Sequence, residues 1–238
     1  MIGFKDSGKT RVVEMLVREL VRRGYRVGTA KHIGDSDFSM DEKGKDTWRH
    51  AEAGASVILC MAANEFVRIE KERRKIQQIV EQLRGLDFFI LEGFRELRNI
   101  AKIAVLRDSS EAGELVDDLT LGCVGSKIDD KPFFSFDDLD KLADLVEERA
   151  FPILPELNCE WCGYKSCKEL RRAIIVGQAR WDACLVLKER VKLLVDDEPV
   201  PLNPFVQDLL SRVVQAIAGS LKRAQGKKIT IEVKLDEG

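Results

Sequence analysis

Gly3-Phe4-Lys5-Asp6-Ser7-Gly8-Lys9-Thr10 fills every fixed position of the phosphate-loop pattern G-x-x-x-x-G-K-[ST]. The residue types follow from the chemistry. Glycines let backbone N–H groups curl around a phosphate, and a following helix turns its positive N-terminus toward the anion. Lys9 is expected to reach the β- and γ-phosphates, and the Thr10 hydroxyl to complete a Mg²⁺ shell. Gly3, Asp6, Ser7, Gly8, Lys9 and Thr10 are therefore the expected nucleotide-binding residues. Residues 8–24 supply the helix: Val12, Leu16, Leu20 and Val21 recur at helical spacing, and Gly24 stands at the C-terminal stop. Such a loop hangs from a strand, and strands run about five residues. Only Met1 and Ile2 precede Gly3, so the expectation is that several apolar residues of that strand are missing from the sequence.

Working outward, Arg26–Lys31 reads as a strand, 34–46 as a polar surface loop and 47–54 as a short helix. Strands follow at 57–62 and 66–70, a charged helix at 71–84, strands at 87–91, 100–106 and 120–124, and a helix at 136–149. Apolar strands alternating with helices predict an α/β fold. The expected architecture is a phosphate-loop NTPase-like, mostly parallel sheet with helices on both faces, over residues 1–150. Phe151-Pro-Ile-Leu-Pro155 then reads as a linker.

Asp87-Phe-Phe-Ile-Leu-Glu92-Gly93 is an apolar strand ending in a carboxylate. That end of a parallel strand lies on the ligand-binding edge of such sheets, where an acid holds Mg²⁺ or its water. Glu92 is accordingly the expected second magnesium group, and Lys9 and Glu92 the expected catalytic pair. The guanine-reading N-K-x-D run is absent; Lys127-Ile128-Asp129 matches only part of it. The residues alone leave ATP and GTP open.

Beyond the loop, Arg23-Gly24-Tyr25-Arg26-Val27-Gly28, Lys31-His32, Phe38-Ser-Met-Asp41, Gly44-Lys45-Asp46-Thr-Trp-Arg49-His50, Ala53-Gly54-Ala55 and Leu91-Glu92-Gly93-Phe94 resemble the MobB family. That family comprises GTP-binding accessory proteins of molybdenum-cofactor maturation. The resemblance covers about residues 1–150. It implies a dimeric, weak GTPase assisting a MobA-like transferase as molybdopterin receives GMP. It also implies that Asp37, Asp41, Lys45, Asp46 and Arg49 form a mobile switch or substrate loop near the phosphates or the pterin. After Lys31-His32 the family has more histidine, whereas here Ile33-Gly34-Asp35 follows. Asp46 also suits an ordinary helix N-cap.

Four of the six cysteines fall at Cys159-x2-Cys162-x4-Cys167-x16-Cys184. Four thiols so close, with no secretory signal at the start of the sequence, point to a metal site rather than disulfides. Cys159, Cys162 and Cys167 lie on a loop leading into a helix at 166–176, and a second helix at 179–194 is expected to return Cys184. Trp161, Tyr164 and Trp181 are expected to shield the site. Four thiolates suit structural zinc. Zinc ligands usually come as two close pairs, whereas here three cluster and one is distant. With Gly163, Ser166, Ala173 and Gly177 the pattern resembles the small four-cysteine 4Fe–4S domain, so residues 156–195 are assigned to it, with zinc as the alternative. Cys60 and Cys123 read as core.

Residues 196–201, with Pro199 and Pro201, read as a second linker, and the remainder, 200–238, as a helix opened by Asn203-Pro204 and an alternating strand at 228–235.

The whole-chain arithmetic sets limits. Lys+Arg number 39 and Asp+Glu 41, a net charge of −2, which gives no basic footprint for nucleic acid. An apolar content of 45% excludes wholesale disorder, and no apolar run approaches the ~20 residues of a membrane helix. The resulting expectation is a cytoplasmic, homodimeric GTP-binding protein with an Fe–S module of structural or redox-sensing role. It would serve a MobA-like transferase and molybdopterin, or a molybdenum or tungsten enzyme. The alternatives are a non-catalytic nucleotide-dependent adaptor, and a nucleotide-gated electron-transfer protein outside pterin metabolism.

Overall fold

The computed structural model describes all residues except 36, 73, 75, 84, 189, 197, 222–225, 227, 232 and 234–238. The chain forms two compact units, Met1–Arg95 and Glu96–Gly238.

In the first unit the order is α1 (Lys9–Arg22), β1 (Val27–Lys31), α2 (Asp46–Glu52), β2 (Val57–Met61), β3 (Phe66–Glu70), α3 (Ile76–Gln82) and β4 (Phe88–Glu92). β1 and β4 pair in parallel, with Lys31 opposite Glu92. Met1 extends this array on the other side of β4. Its amino group donates to the Leu91 carbonyl at 2.7 Å, and the Gly93 N–H donates to the Met1 carbonyl at 2.9 Å. This alternation is that of a parallel pair, so Met1 and Ile2 run beside β4 and the phosphate loop leaves the edge at which Glu92 ends. α1 packs on β1 and β4 through Val12, Val13, Leu16 and Leu20, all buried. Gly28 lies close under Leu86 and the Phe89 ring: a Cβ there would meet the tip of the Leu86 side chain at 2.5 Å and displace it.

β2 and β3 depart from the expected parallel arrangement. They form an antiparallel hairpin, with Met61 opposite Phe66. Val57, Leu59, Met61 and Phe66 are exposed. Their apolar character therefore does not mark strands covered on both faces. Cys60 in β2 is half-buried rather than core.

The second unit opens with β5 (Lys102–Val105), α4 (Ala112–Leu115), β6 (Thr120–Val124), β7 (Phe133–Phe134) and α5 (Leu139–Arg149). β5, β6 and β7 are parallel. Every residue of β5 and β6 is buried, the pattern expected of parallel strands covered on both faces. Cys123 in β6 is fully buried, as the sequence implied. The buried Lys102 ammonium meets Asp117 Oδ2 at 2.6 Å, and Asp117 Oδ1 accepts from the Leu119 N–H at 3.0 Å.

α6 (Cys167–Ile175) follows, capped by Ser166, whose hydroxyl accepts from the Glu169 N–H at 3.2 Å. The helix expected at 179–194 does not form. Short 3-10 turns occupy Trp181–Ala183 and Leu185–Leu187, separated by extended backbone at Cys184 (φ −70°, ψ 105°). A continuous helix would spread Cys184 and Val186 around its circumference, whereas both are buried in one small core with Leu154, Leu170 and Ile174. The expected linker at 196–201 is in part a strand: β8 (Leu193–Val195) and β9 (Glu198–Val200) make an antiparallel hairpin. α7 (Pro204–Gly219) begins as expected, with Asn203 Oδ1 accepting from the Val206 N–H at 2.9 Å. Residues 228–231 and 233 are not in a strand, and the rest of the expected 228–235 strand lies outside the described residues. Among the described residues no helix is long and apolar enough to cross a membrane.

Candidate functional site

Gly8 is the N-cap of α1 at φ 89°, a left-handed conformation that glycine adopts without a Cβ penalty. It turns the loop so that Lys9 and Thr10 open the helix. Thr10 Oγ1 donates to Glu92 Oε1 at 3.0 Å, and Lys31 Nζ lies 3.0 Å from the same oxygen. Glu92 is buried at the tip of β4. Thus the helix-opening hydroxyl and the acid of the neighbouring strand share one point on the sheet edge.

The Lys9 ammonium donates to the Phe4 carbonyl. Burial lowers the Lys9 pKa from the ordinary lysine value; Arg95 and Lys31 push the same way, while Glu92 and Asp6 oppose them. Ser7 is buried, and its hydroxyl has no partner among the described residues. Asp6 is exposed at φ 60°.

Two cations of this site fall outside the expected set. Lys31 comes from the end of β1. Arg95 follows a tight turn after β4, where Gly93 and Phe94 have φ of 94° and 45°. A Cβ on Gly93 would meet His32 Cβ at 3.1 Å. The Arg95 Nη2 donates to the Gly3 carbonyl at 2.5 Å, and its guanidinium lies 4.4 Å from the Phe4 ring centroid. Arg95 stands one residue beyond the motif ending at Phe94, so no sequence pattern flagged it. Lys31 was visible in the Lys31-His32 pair.

The polar loop is arranged differently. Asp41 Oδ1 accepts from the Thr47 hydroxyl at 2.6 Å, and the Asp37 N–H donates to Asp35 Oδ1 at 2.9 Å. Lys45 pairs with Glu42 at 4.0 Å, and Arg49 with Asp46 at 3.9 Å, all four side chains being well exposed. Lys45, not Asp46, is the N-cap of α2, and no side chain caps that helix. Asp46 instead occupies the first turn, where a carboxylate favours the helix dipole.

In the second unit Cys159, Cys162, Cys167 and Cys184 line one small cavity, together with Trp161 and Tyr164. The Asn158 side-chain oxygen accepts from the Cys167 N–H at 2.9 Å. Burial pushes the Cys184 thiol up, and the nearby Cys167 and Cys162 thiols add to this. Among the described residues no group of three or more His, Cys, Asp or Glu side chains is placed to hold a single metal ion. Trp161 and Trp181 are 53% and 39% exposed, so the expected aromatic shield is partial.

Comparison with known proteins separates the phosphate-loop portion of the chain from the cysteine segment. The family model for "Molybdopterin guanine dinucleotide synthesis protein B" matches residues 1–124. A Methanocaldococcus jannaschii protein is 33% identical over 99% of this chain and 96% of its own length. The chain belongs to the MobB family. That relative is named "Putative molybdopterin-guanine dinucleotide biosynthesis adapter protein". The Escherichia coli "Molybdopterin-guanine dinucleotide biosynthesis adapter protein" is 29% identical over 61% of this chain and 89% of its own length. The crystal structure of Bacillus subtilis MobB shares the fold at a TM-score of 0.53 and 24% identity, over 62% of this chain and 94% of that one. A second family model, "Putative Fe-S cluster", matches residues 154–186. The MobB fold thus accounts for the phosphate-loop portion, and the cysteine segment matches a family of its own.

Proposed function

We propose that the chain is a GTP-binding protein and slow GTPase that assists the attachment of GMP to molybdopterin beside a MobA-like transferase. The observation that carries this reading is the hydrogen bond from Thr10 to Glu92 at the end of the phosphate loop. The relatives' names as molybdopterin-guanine dinucleotide adapter proteins support the pathway. Thr10 and Glu92 fit Mg²⁺, since a hydroxyl and a carboxylate are hard oxygen donors. The ion would neutralise charge on the β- and γ-phosphates when bound. Lys9, now resting on a carbonyl, would exchange it for phosphate oxygens. Asp37, Asp41 and Lys45 of the polar loop, with Asp46 and Arg49 at the start of α2, form a charged segment suited to ordering against a bound nucleotide or pterin. The active form is a homodimer.

Residues 156–195 hold a 4Fe–4S cluster in this reading. Cys159, Cys162, Cys167 and Cys184 would supply the four thiolates that such a cluster takes. Zinc instead draws four sulfurs to within ~2.3 Å of one point. The four cysteines that line one cavity support a thiolate-held group, and the match of residues 154–186 to the "Putative Fe-S cluster" family model favours the cluster over zinc. Its role is structural or redox-sensing, stapling a segment with a small core of its own.

The test is anaerobic purification followed by assay with GTP, Mg²⁺, molybdopterin and a MobA-like transferase. Slow GTP turnover lost in Lys9→Ala, and faster guanine-dinucleotide formation in the presence of the protein, are expected. Tight GTP binding without turnover, even beside the transferase, identifies a non-catalytic adaptor instead. Absence of any nucleotide binding overturns the reading.

A further inference from the structure

We infer that Arg95 is the second cation for the terminal phosphate, the residue that makes this site prefer a nucleoside triphosphate to a diphosphate. The inference rests on the nucleotide reading above and adds a residue to it.

Three observations meet. First, the turn at Gly93 and Phe94 is built in left-handed backbone, which carries the chain from the acid of β4 back onto the phosphate loop. Second, Arg95 and Lys9 hold the same residue from two sides. Lys9 donates to the Phe4 carbonyl, and the Arg95 guanidinium covers the Phe4 ring while Nη2 donates to the Gly3 carbonyl. Lys9 is the loop group that reaches the β- and γ-phosphates. The amides at the start of α1 cradle the other end of the phosphate chain. Arg95 therefore sits at the terminal end. Third, the same edge gathers charge: Lys31 Nζ lies 3.0 Å from Glu92 Oε1, and the charges of Glu92, Arg95, Lys31 and Asp6 all act on Lys9.

Both Lys9 and Arg95 now rest on carbonyl oxygens of the loop itself. Those oxygens are weak, neutral acceptors; a phosphate oxygen is a charged one, and hydrogen bonds to it are about twice as strong. A guanidinium can bind two phosphate oxygens at once from one fixed plane, so a rotation off Gly3 places Arg95 on the γ-phosphoryl group. An arginine supplied within the chain is an established way to stabilise the charge of phosphoryl transfer.

The test uses the full chain and titration calorimetry with GDP and with a non-hydrolysable GTP analogue, both with Mg²⁺. Arg95→Ala is expected to weaken the analogue by about tenfold or more, the loss of one charged contact, while GDP affinity stays within about threefold. Arg95→Lys recovers part of the difference, because it keeps the charge and loses the fork. Equal weakening of both ligands with a lower Tm makes Arg95 a loop prop and overturns the inference; so does no change in either. Lys9→Ala separates the two readings. If the wild type binds and Lys9→Ala does not, while Arg95→Ala keeps its discrimination, only the Arg95 inference fails. If the wild type binds neither ligand, the nucleotide reading fails with it.

Discussion

Thr10 and Glu92 lie 82 residues apart in sequence, and the Thr10 hydroxyl donates to the Glu92 carboxylate at 3.0 Å. The contact joins the first turn of α1 to the tip of β4. It exists because Met1 lies beside β4, which brings the loop and the acid to one edge. Thr10→Ala and Glu92→Gln are therefore expected to remove the Mg²⁺ dependence of GTP affinity while leaving the fold intact. Titrations with and without Mg²⁺ check this. A variant that keeps the full Mg²⁺ effect removes Glu92 from the metal.

A second expectation concerns the pair of buried Lys102 and partly buried Asp117. Burial opposes ionisation of Asp117, but hydrogen bonding and charge from Lys102, with the Leu119 N–H, outweigh it and lower its pKa from the ordinary aspartate value. A carboxyl whose folded pKa is depressed stabilises the fold above its unfolded pKa, near ~4. That contribution is lost as pH falls through the lower folded value. Asp117→Asn should cost about 1–3 kcal/mol at neutral pH and flatten the acid limb of Tm against pH. Thermal melts across the acid range measure both.

The four cavity cysteines and the two others should behave differently. Cys159→Ser, Cys162→Ser, Cys167→Ser and Cys184→Ser are each expected to abolish iron and sulfide binding, whereas Cys60→Ser and Cys123→Ser leave it unchanged. Iron and sulfide assays on anaerobic protein decide this. A colourless wild type carrying stoichiometric zinc contradicts the cluster assignment.

Ile174 is fully buried behind Cys167 and Cys184. Ile174→Ala should destabilise the segment by about 2–5 kcal/mol and hasten cluster loss under air. Retention of both Tm and cluster lifetime would show that this small core does not support the site.

Much of this site was legible in the sequence for definite reasons. The phosphate loop has fixed spacing, α1 has a clear apolar stripe, and β4 is a continuous apolar run that ends in an acid. Arg95 was not legible, because a turn of left-handed residues, not a motif, returns it to Gly3. The β2–β3 hairpin was misread as part of a parallel array because an apolar run does not reveal which face is covered. Around Cys184 the helical pattern yielded to the small core, which needed Cys184 and Val186 on one side. Lys45 rather than Asp46 stands at the N-cap position of α2, a one-residue shift that composition cannot distinguish.

The central claim is that the loop from Gly3 to Thr10 holds GTP. Titration of the full chain with GTP and Mg²⁺, beside Lys9→Ala, tests it most directly. One GTP per chain, dependent on Mg²⁺ and lost in Lys9→Ala, is the predicted result. No binding by the wild type, or equal binding by both proteins, would contradict it.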